Sequence, residues 1–287
     1  MLLTTKQRNI AIEDLNKKIR LENMLQRELQ PFFNRMNKDY ATVYARTGRI
    51  IDFKRYTGDL IFILRKHYTR TQRAFSGAVA AQNEKIFYNL NIKQDVDKEL
   101  IALGLIEWQD AQLETQPDEI LETTDKNARR SILHAQRQLT DEGADVTFAA
   151  VALTAGGVKR RSLFGRLTGI KVTETQTAAE STRLIEAEVL SGRLPFTLSP
   201  QSLTPDPFAL TRPRDQDVKQ GSKSWVTVGD GKVRLSHISA DRQTVDIDKS
   251  FIIGGFNMRH PADLTLGAPI KEVVNCRCSS NMQIEGF

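Results

Sequence analysis

Five prolines, Pro195, Pro200, Pro205, Pro207 and Pro213, fall within twenty residues and sit among Ser and Thr. Each removes a backbone donor and fixes φ, so neither a helix nor a central strand can run through this stretch. Residues 191–220 are therefore expected to be loop or extended chain. The texture of the sequence differs on the two sides of it.

Before the prolines the pattern is helical. Ile12, Leu15, Ile19, Leu25 and Leu29 recur at helical spacing over residues 6–45, with Pro31 as a possible break. Leu60, Ile63, Leu64 and Tyr68 share a face in residues 50–90, a segment that Gly48, Gly58 and Gly77 should divide into several helices. Residues 97–139 favour helix, with Asp118, Glu119 and Glu122 early in one candidate and Lys126, Arg129, Arg130 and Arg137 late, as the helix dipole prefers. Gly143 is the expected stop. Gly156-Gly157 and the basic Lys159, Arg160 and Arg161 read as a loop, followed by a helix over residues 173–190.

After the prolines come short β-like pieces at 225–228, 232–235, 244–247 and 251–253, separated by turn signals at Gly229-Asp230-Gly231, Ala240-Asp241 and Gly254-Gly255. The expected fold class is α+β: a helix-rich region over residues 1–150 and a smaller mixed domain over residues 151–287 with a short antiparallel sheet.

Composition narrows the function classes. No apolar run approaches the roughly 18 residues that cross a bilayer, and residues 1–10 carry no secretory pattern, so a cytoplasmic product is expected and no membrane partner. The two cysteines, Cys276 and Cys278, are too close in sequence for an easy mutual disulfide. The net charge is +6, and residues 46–73 alone carry that excess, with eight basic residues against Asp52 and Asp59. Such a stretch is either a solvated helical face or a surface for polyanions.

The C-terminal text holds an ordered set: Trp225, Arg234-x-Ser236-His237, Phe251, Pro261-x-Asp263 and Asn275-Cys276-Arg277-Cys278, with Thr173-Glu174-Thr175 upstream. This order resembles the head morphogenesis proteins of tailed phages named after the F protein of phage Mu. The resemblance covers roughly residues 165–280; the family often has Gly where Ala262 stands. It implies a minor capsid protein of the virion, few in copy, made in the host cytoplasm and held inside the head. The partners it implies are the portal protein, a capsid or scaffolding protein and packaged double-stranded DNA, with a part in DNA packaging or ejection. The helical region at 1–150 is the expected portal-docking part.

The chemistry of the same residues admits several readings. Glu174, Trp225, Arg234, Ser236, His237, Asp263, Asn275, Cys276 and Cys278 are expected to build the fold, with Arg234 forking onto Asp263 or Glu174 and Asp230-Gly231 making a hairpin turn. No catalytic residue and no cofactor is assigned. The alternative at His237, Cys276 and Cys278 is zinc, with His260 or Asp263 as the fourth ligand. A thiol enzyme would use His237, Cys276 and Asp263 instead, and Arg234, His237 and Glu174 would suit a nuclease or transferase. A non-specific DNA-binding ejection protein would use phosphate contacts from Arg65, Lys66, Arg70, Arg73, Lys159, Arg160 and Arg161. Tyr56, Phe62, Tyr68 and Phe75 interleave with the first four, but their helical spacing points to core.

Overall fold

The computed structural model describes residues 5–77, 79, 94–193, 220–229 and 231–284, with side chains omitted at 5–11, 94–97 and 156–165. The Pro-rich stretch at 194–219 and Asp230 lie outside these residues. Four long helices fill the N-terminal part: α1 (Thr5–Thr47), α2 (Thr57–Phe75), α3 (Gln94–Asp141) and α4 (Phe148–Leu190). A 3-10 turn at Phe53–Tyr56 leads into α2, and the Asp52 side chain accepts from the Lys54 N–H at its start. The α+β class expected from sequence is the class observed.

Two prolines and a glycine pair lie inside helices, and only the glycine pair departs from the helices expected. Pro31 lies inside α1 without ending it, and Pro117 lies inside α3. A proline within a helix costs roughly 3 kcal/mol. Buried residues on both sides offset it: Leu29, Phe32 and Phe33 around the first, Leu113, Ile120 and Leu121 around the second. The loop expected at Gly156-Gly157 is helix as well. Two glycines cost only about 1 kcal/mol each in a helix, and α4 has a firmly packed second half to carry them. Asp118, Glu119 and Glu122 thus sit in mid-helix, where the dipole argument does not apply. The nearby charges pair locally instead, Glu122 with Lys126 and Asp125 with Arg129, each at 2.7 Å. Gly143 ends α3 as expected, with φ +68 and the Ala144 N–H donating back to the Leu139 carbonyl.

The residues form two compact units. One comprises Glu22–His67 and Ala111–Lys171, the other Met1–Leu21, Tyr68–Asp110 and Val172–Phe287. Each long helix contributes to both. The first unit is all helical. Tyr40 donates to the Ala128 carbonyl, Tyr56 to Asp39 at 2.7 Å, and Arg166 to the Ile120 carbonyl. The Tyr44 and Phe148 rings meet edge to face at 5.9 Å.

The second unit is organised by the end of α4. Every residue from Val172 to Ser191 is buried, although twelve of the twenty are polar or charged. Unpaired, each such group would cost a few kcal/mol. They are paired: Tyr68 donates to Glu174, Gln176 to the Cys278 carbonyl, Thr177 to the Ala262 carbonyl, and Val79 N–H to Glu186. Glu180 takes Lys18 at 2.7 Å and both the N–H and hydroxyl of Ser280, while Arg183 bridges Glu180 and Asp14. This explains a correction in α1: its first turns bury Asp14 and Lys18 and leave Ile12 and Ile19 exposed, because the face they meet is charged.

Beyond the prolines, β1 (Gly221–Val226) is the centre strand of a three-stranded antiparallel sheet, between β2 (Thr244–Asp246) and β5 (Ser279–Ile284). β3 (Phe251–Ile253) and β4 (Phe256–Met258) form a hairpin through Gly254 and Gly255, whose φ values of +57 and +85 suit the two-residue turn. The strand expected at 232–235 is absent. Those residues turn and enter the short helix α5 (Leu235–Ala240). β4, β5 and the helical turn α6 (Ile270–Val273) were not expected. No helix among the described residues is long and apolar enough to cross a membrane.

Burial would raise the Glu180 pKa, but Lys18, Arg183 and Ser280 outweigh it and hold the carboxyl down at about 2, against 4.5 unperturbed. Its contribution to stability is therefore complete above pH 4.5 and is lost as pH falls from there through 2; the full shift corresponds to about 3 kcal/mol. Glu180→Gln is expected to cost about 3–5 kcal/mol at neutral pH. Urea unfolding across that pH window checks both: the variant should show a shallower loss of stability in acid.

Candidate metal centre

β1 alternates, with Lys223 and Trp225 facing inward. Trp225 is the largest fully buried side chain described, and it packs with Phe251, Ile253, Met258, Ala262, Val273, Cys276 and Cys278 in one core. Its ring meets Phe251 at 5.3 Å and His237 at 5.4 Å, both edge to face. The indole N–H has no nitrogen or oxygen acceptor and acts as a weak donor toward the Cys278 sulfur.

His237 reaches this core from α5. The helix buries His237 and Ala240 while Leu235 and Ile238 stay exposed, the reverse of ordinary partition. The cysteines flank Arg277 in the turn between α6 and β5. Asn275 at its start takes φ +58, a left-handed conformation that Asn tolerates, and its N–H donates to Thr173 Oγ1 at 3.4 Å. This brings both sulfurs to one ring nitrogen: His237 Nδ1 lies 3.4 Å from Cys278 Sγ and 3.6 Å from Cys276 Sγ. All three ligand atoms lie within 4.8 Å of one another, and all three residues are buried.

On the far side of the ring, His237 Nε2 lies 3.3 Å from Glu272 Oε2, which also accepts from Ser236 Oγ at 2.7 Å. The S–H of Cys278 pulls the Cys276 thiol below its ordinary range, against burial and with help from His237. Cys278 is pushed up in turn by Cys276 and by burial.

Other residues singled out from sequence have different work. Asp263 accepts from Arg259 N–H at 2.7 Å and from Thr265 N–H at 2.8 Å, shaping the turn after Pro261. Burial would raise its pKa, but His260 and the hydrogen bonds hold it low. Arg234 donates to the Val274 carbonyl, not to Asp263 or Glu174. Glu174 serves Tyr68 in the helix interior. His260 bonds Ser181 at 3.0 Å and the Pro261 carbonyl at 2.9 Å. Neither His260 nor Asp263 joins the cluster as a fourth ligand. The carboxylate beside His237 is Glu272, so neither enzyme arrangement considered from sequence assembles as drawn. Glu272 carried no signal in the sequence, since one acid in a short helical turn looks like any surface residue.

Of the basic residues, Arg65, Lys66 and Arg73 are exposed on α2 and Arg70 is half-buried. Lys66 pairs with Glu28 at 2.9 Å. Lys159, Arg160 and Arg161 lie on α4, with their side chains outside the described residues. Tyr56, Tyr68 and Phe75 are core, but Phe62 is 69% exposed, contrary to its expected place.

No family model, no curated protein and no solved structure matches this chain.

Trp225→Ala is expected to cost about 3–5 kcal/mol, the range for emptying a buried aromatic site. Phe62→Ala, at an exposed position, should stay within about 0.5 kcal/mol of the parent. Chemical denaturation of the two variants side by side tests this assignment of core and surface.

Proposed function

We propose that this chain is a minor head protein of a tailed phage, held inside the capsid beside the portal. The observation that carries the reading is convergence. Trp225, His237, Phe251, Cys276 and Cys278, which are spread over 54 positions and belong to the motif set resembling the Mu F-like family, pack around one centre. Residues that coincide by chance have no reason to be neighbours. Of the two departures from the family pattern, Ala262 and a longer proline-rich stretch before Trp225, the first is consistent with the reading: Ala262, where the family often has Gly, takes φ +66, a region that favours glycine.

On this reading the helical residues 1–150 dock on the portal, and the C-terminal domain acts toward capsid or DNA. Capsids assembled with the portal protein should contain this protein at a fixed low ratio, and portal-free capsids should lack it. Normal incorporation without the portal would sink the docking assignment.

A DNA-binding ejection protein is the second reading, favoured by Arg65, Lys66 and Arg73 standing exposed on one helix. Binding would be through phosphates, without sequence preference and strongly salt-dependent. Neutralising all three should lower the slope of log affinity against log salt by about 3 if each meets one phosphate. An unchanged slope in filter binding would remove this reading.

A further inference from the structure

We propose that His237, Cys276 and Cys278 bind a zinc ion through Nδ1 and the two Sγ atoms, with Glu272 orienting the imidazole. The inference rests on the local geometry and stands apart from the head-protein reading.

Zinc binds sulfur at about 2.3 Å and imidazole nitrogen at about 2.0–2.1 Å; at a tetrahedral angle these lengths place nitrogen and sulfur about 3.5 Å apart. The two separations here are 3.4 and 3.6 Å. A sulfur–nitrogen hydrogen bond has a similar length, but Nδ1 presents one proton or one lone pair, in the ring plane. It can serve only one sulfur well. Two nitrogen–sulfur separations of nearly equal length are what two edges of a coordination tetrahedron around one ion would have.

The remaining ring nitrogen supports this assignment. Glu272 Oε2 stands 3.3 Å from Nε2, within ion-pair reach but out of hydrogen-bond alignment, so a small turn of the ring on metal binding would let Nε2–H donate to that carboxylate and leave the Nδ1 lone pair on the side of the sulfurs. A carboxylate behind a ligating histidine is the usual means of fixing the tautomer and raising ligand basicity. Ser236 holds that carboxylate in place from the adjacent position on α5. The reversed burial of α5 fits as well: the imidazole is turned inward at the cost of leaving Leu235 and Ile238 in solvent.

Two thiolates and an imidazole are soft and borderline donors, a set that selects zinc over magnesium or calcium. Among the described residues no fourth His, Cys, Asp or Glu joins, so water or another small donor completes the tetrahedron. Metal binding releases the thiol protons, and the two thiolates neutralise the dication. The ion would tie α5 to the turn before β5, closing a 41-residue loop in a domain with short strands.

The test uses the full chain, purified without chelator. Elemental analysis should find about one zinc per chain, and cobalt replacing it should give a thiolate-to-cobalt charge-transfer band. Cys276→Ser and Cys278→Ser should each lower that band by about half or more, and the double serine variant should abolish it. Those variants can fail to fold, so Glu272→Gln supplies a second measurement: it keeps all three ligands and should weaken zinc affinity about 10–100-fold. A natively folded chain with no zinc after exposure to excess metal, and no charge-transfer band at saturating cobalt, would overturn the proposal. So would stoichiometric zinc that persists in a folded double serine variant. Unchanged affinity in folded Glu272→Gln would overturn the part given to Glu272.

Discussion

The second compact unit depends on a segment of α4 that is buried on all sides while carrying the polarity of a surface helix. A helix polar all round ordinarily faces water. Here its donors and acceptors are met from α1, α2 and the C-terminal strand and turns, and the centre of the arrangement is Glu180. Its carboxylate joins Lys18, Arg183 and Ser280, residues distant in sequence. Removing one partner would strand a charge in the interior, so the segments that supply partners must assemble together. A purely apolar seam would allow sliding; these hydrogen bonds allow one register.

The C-terminal core is built around that helix. Gln176 and Thr177 hold the Cys278 and Ala262 carbonyls, and Thr173 accepts from Asn275. These bonds fix the turn that carries the two cysteines. Trp225 and Phe251 pack beside it, and α5 presents His237. The cluster is therefore held from several elements at once, as a site that must keep its geometry requires. The same arrangement serves either a head protein or a DNA-associated one, since neither role needs chemistry at this centre.

Much of the architecture was legible because it is local. Helical periodicity located α2, α3 and the end of α4, and Gly143 and Gly254-Gly255 marked a stop and a turn through backbone conformations that other residues resist. Where local rules failed, a distant partner had decided. Lys232 to Leu235 has the alternation of a strand, yet the chain turns there because Arg234 is drawn to the Val274 carbonyl and His237 to the cysteines. Proline inside α1 and α3, and glycine inside α4, obeyed packing over propensity.

The site divides in the same way. The α+β class, the two unbridged cysteines and the candidacy of His237 as their companion were legible in the residues alone. Three-dimensional packing was needed to bring both sulfurs to one ring nitrogen, to put Glu272 and not Asp263 or His260 beside the ring, and to turn Asp14 and Lys18 inward while Ile12 stays out. Periodicity reports which residues share a face of one element. It carries no information about what that face will meet, and the chemistry of the facing surface decides whether a charge or a methyl group is buried.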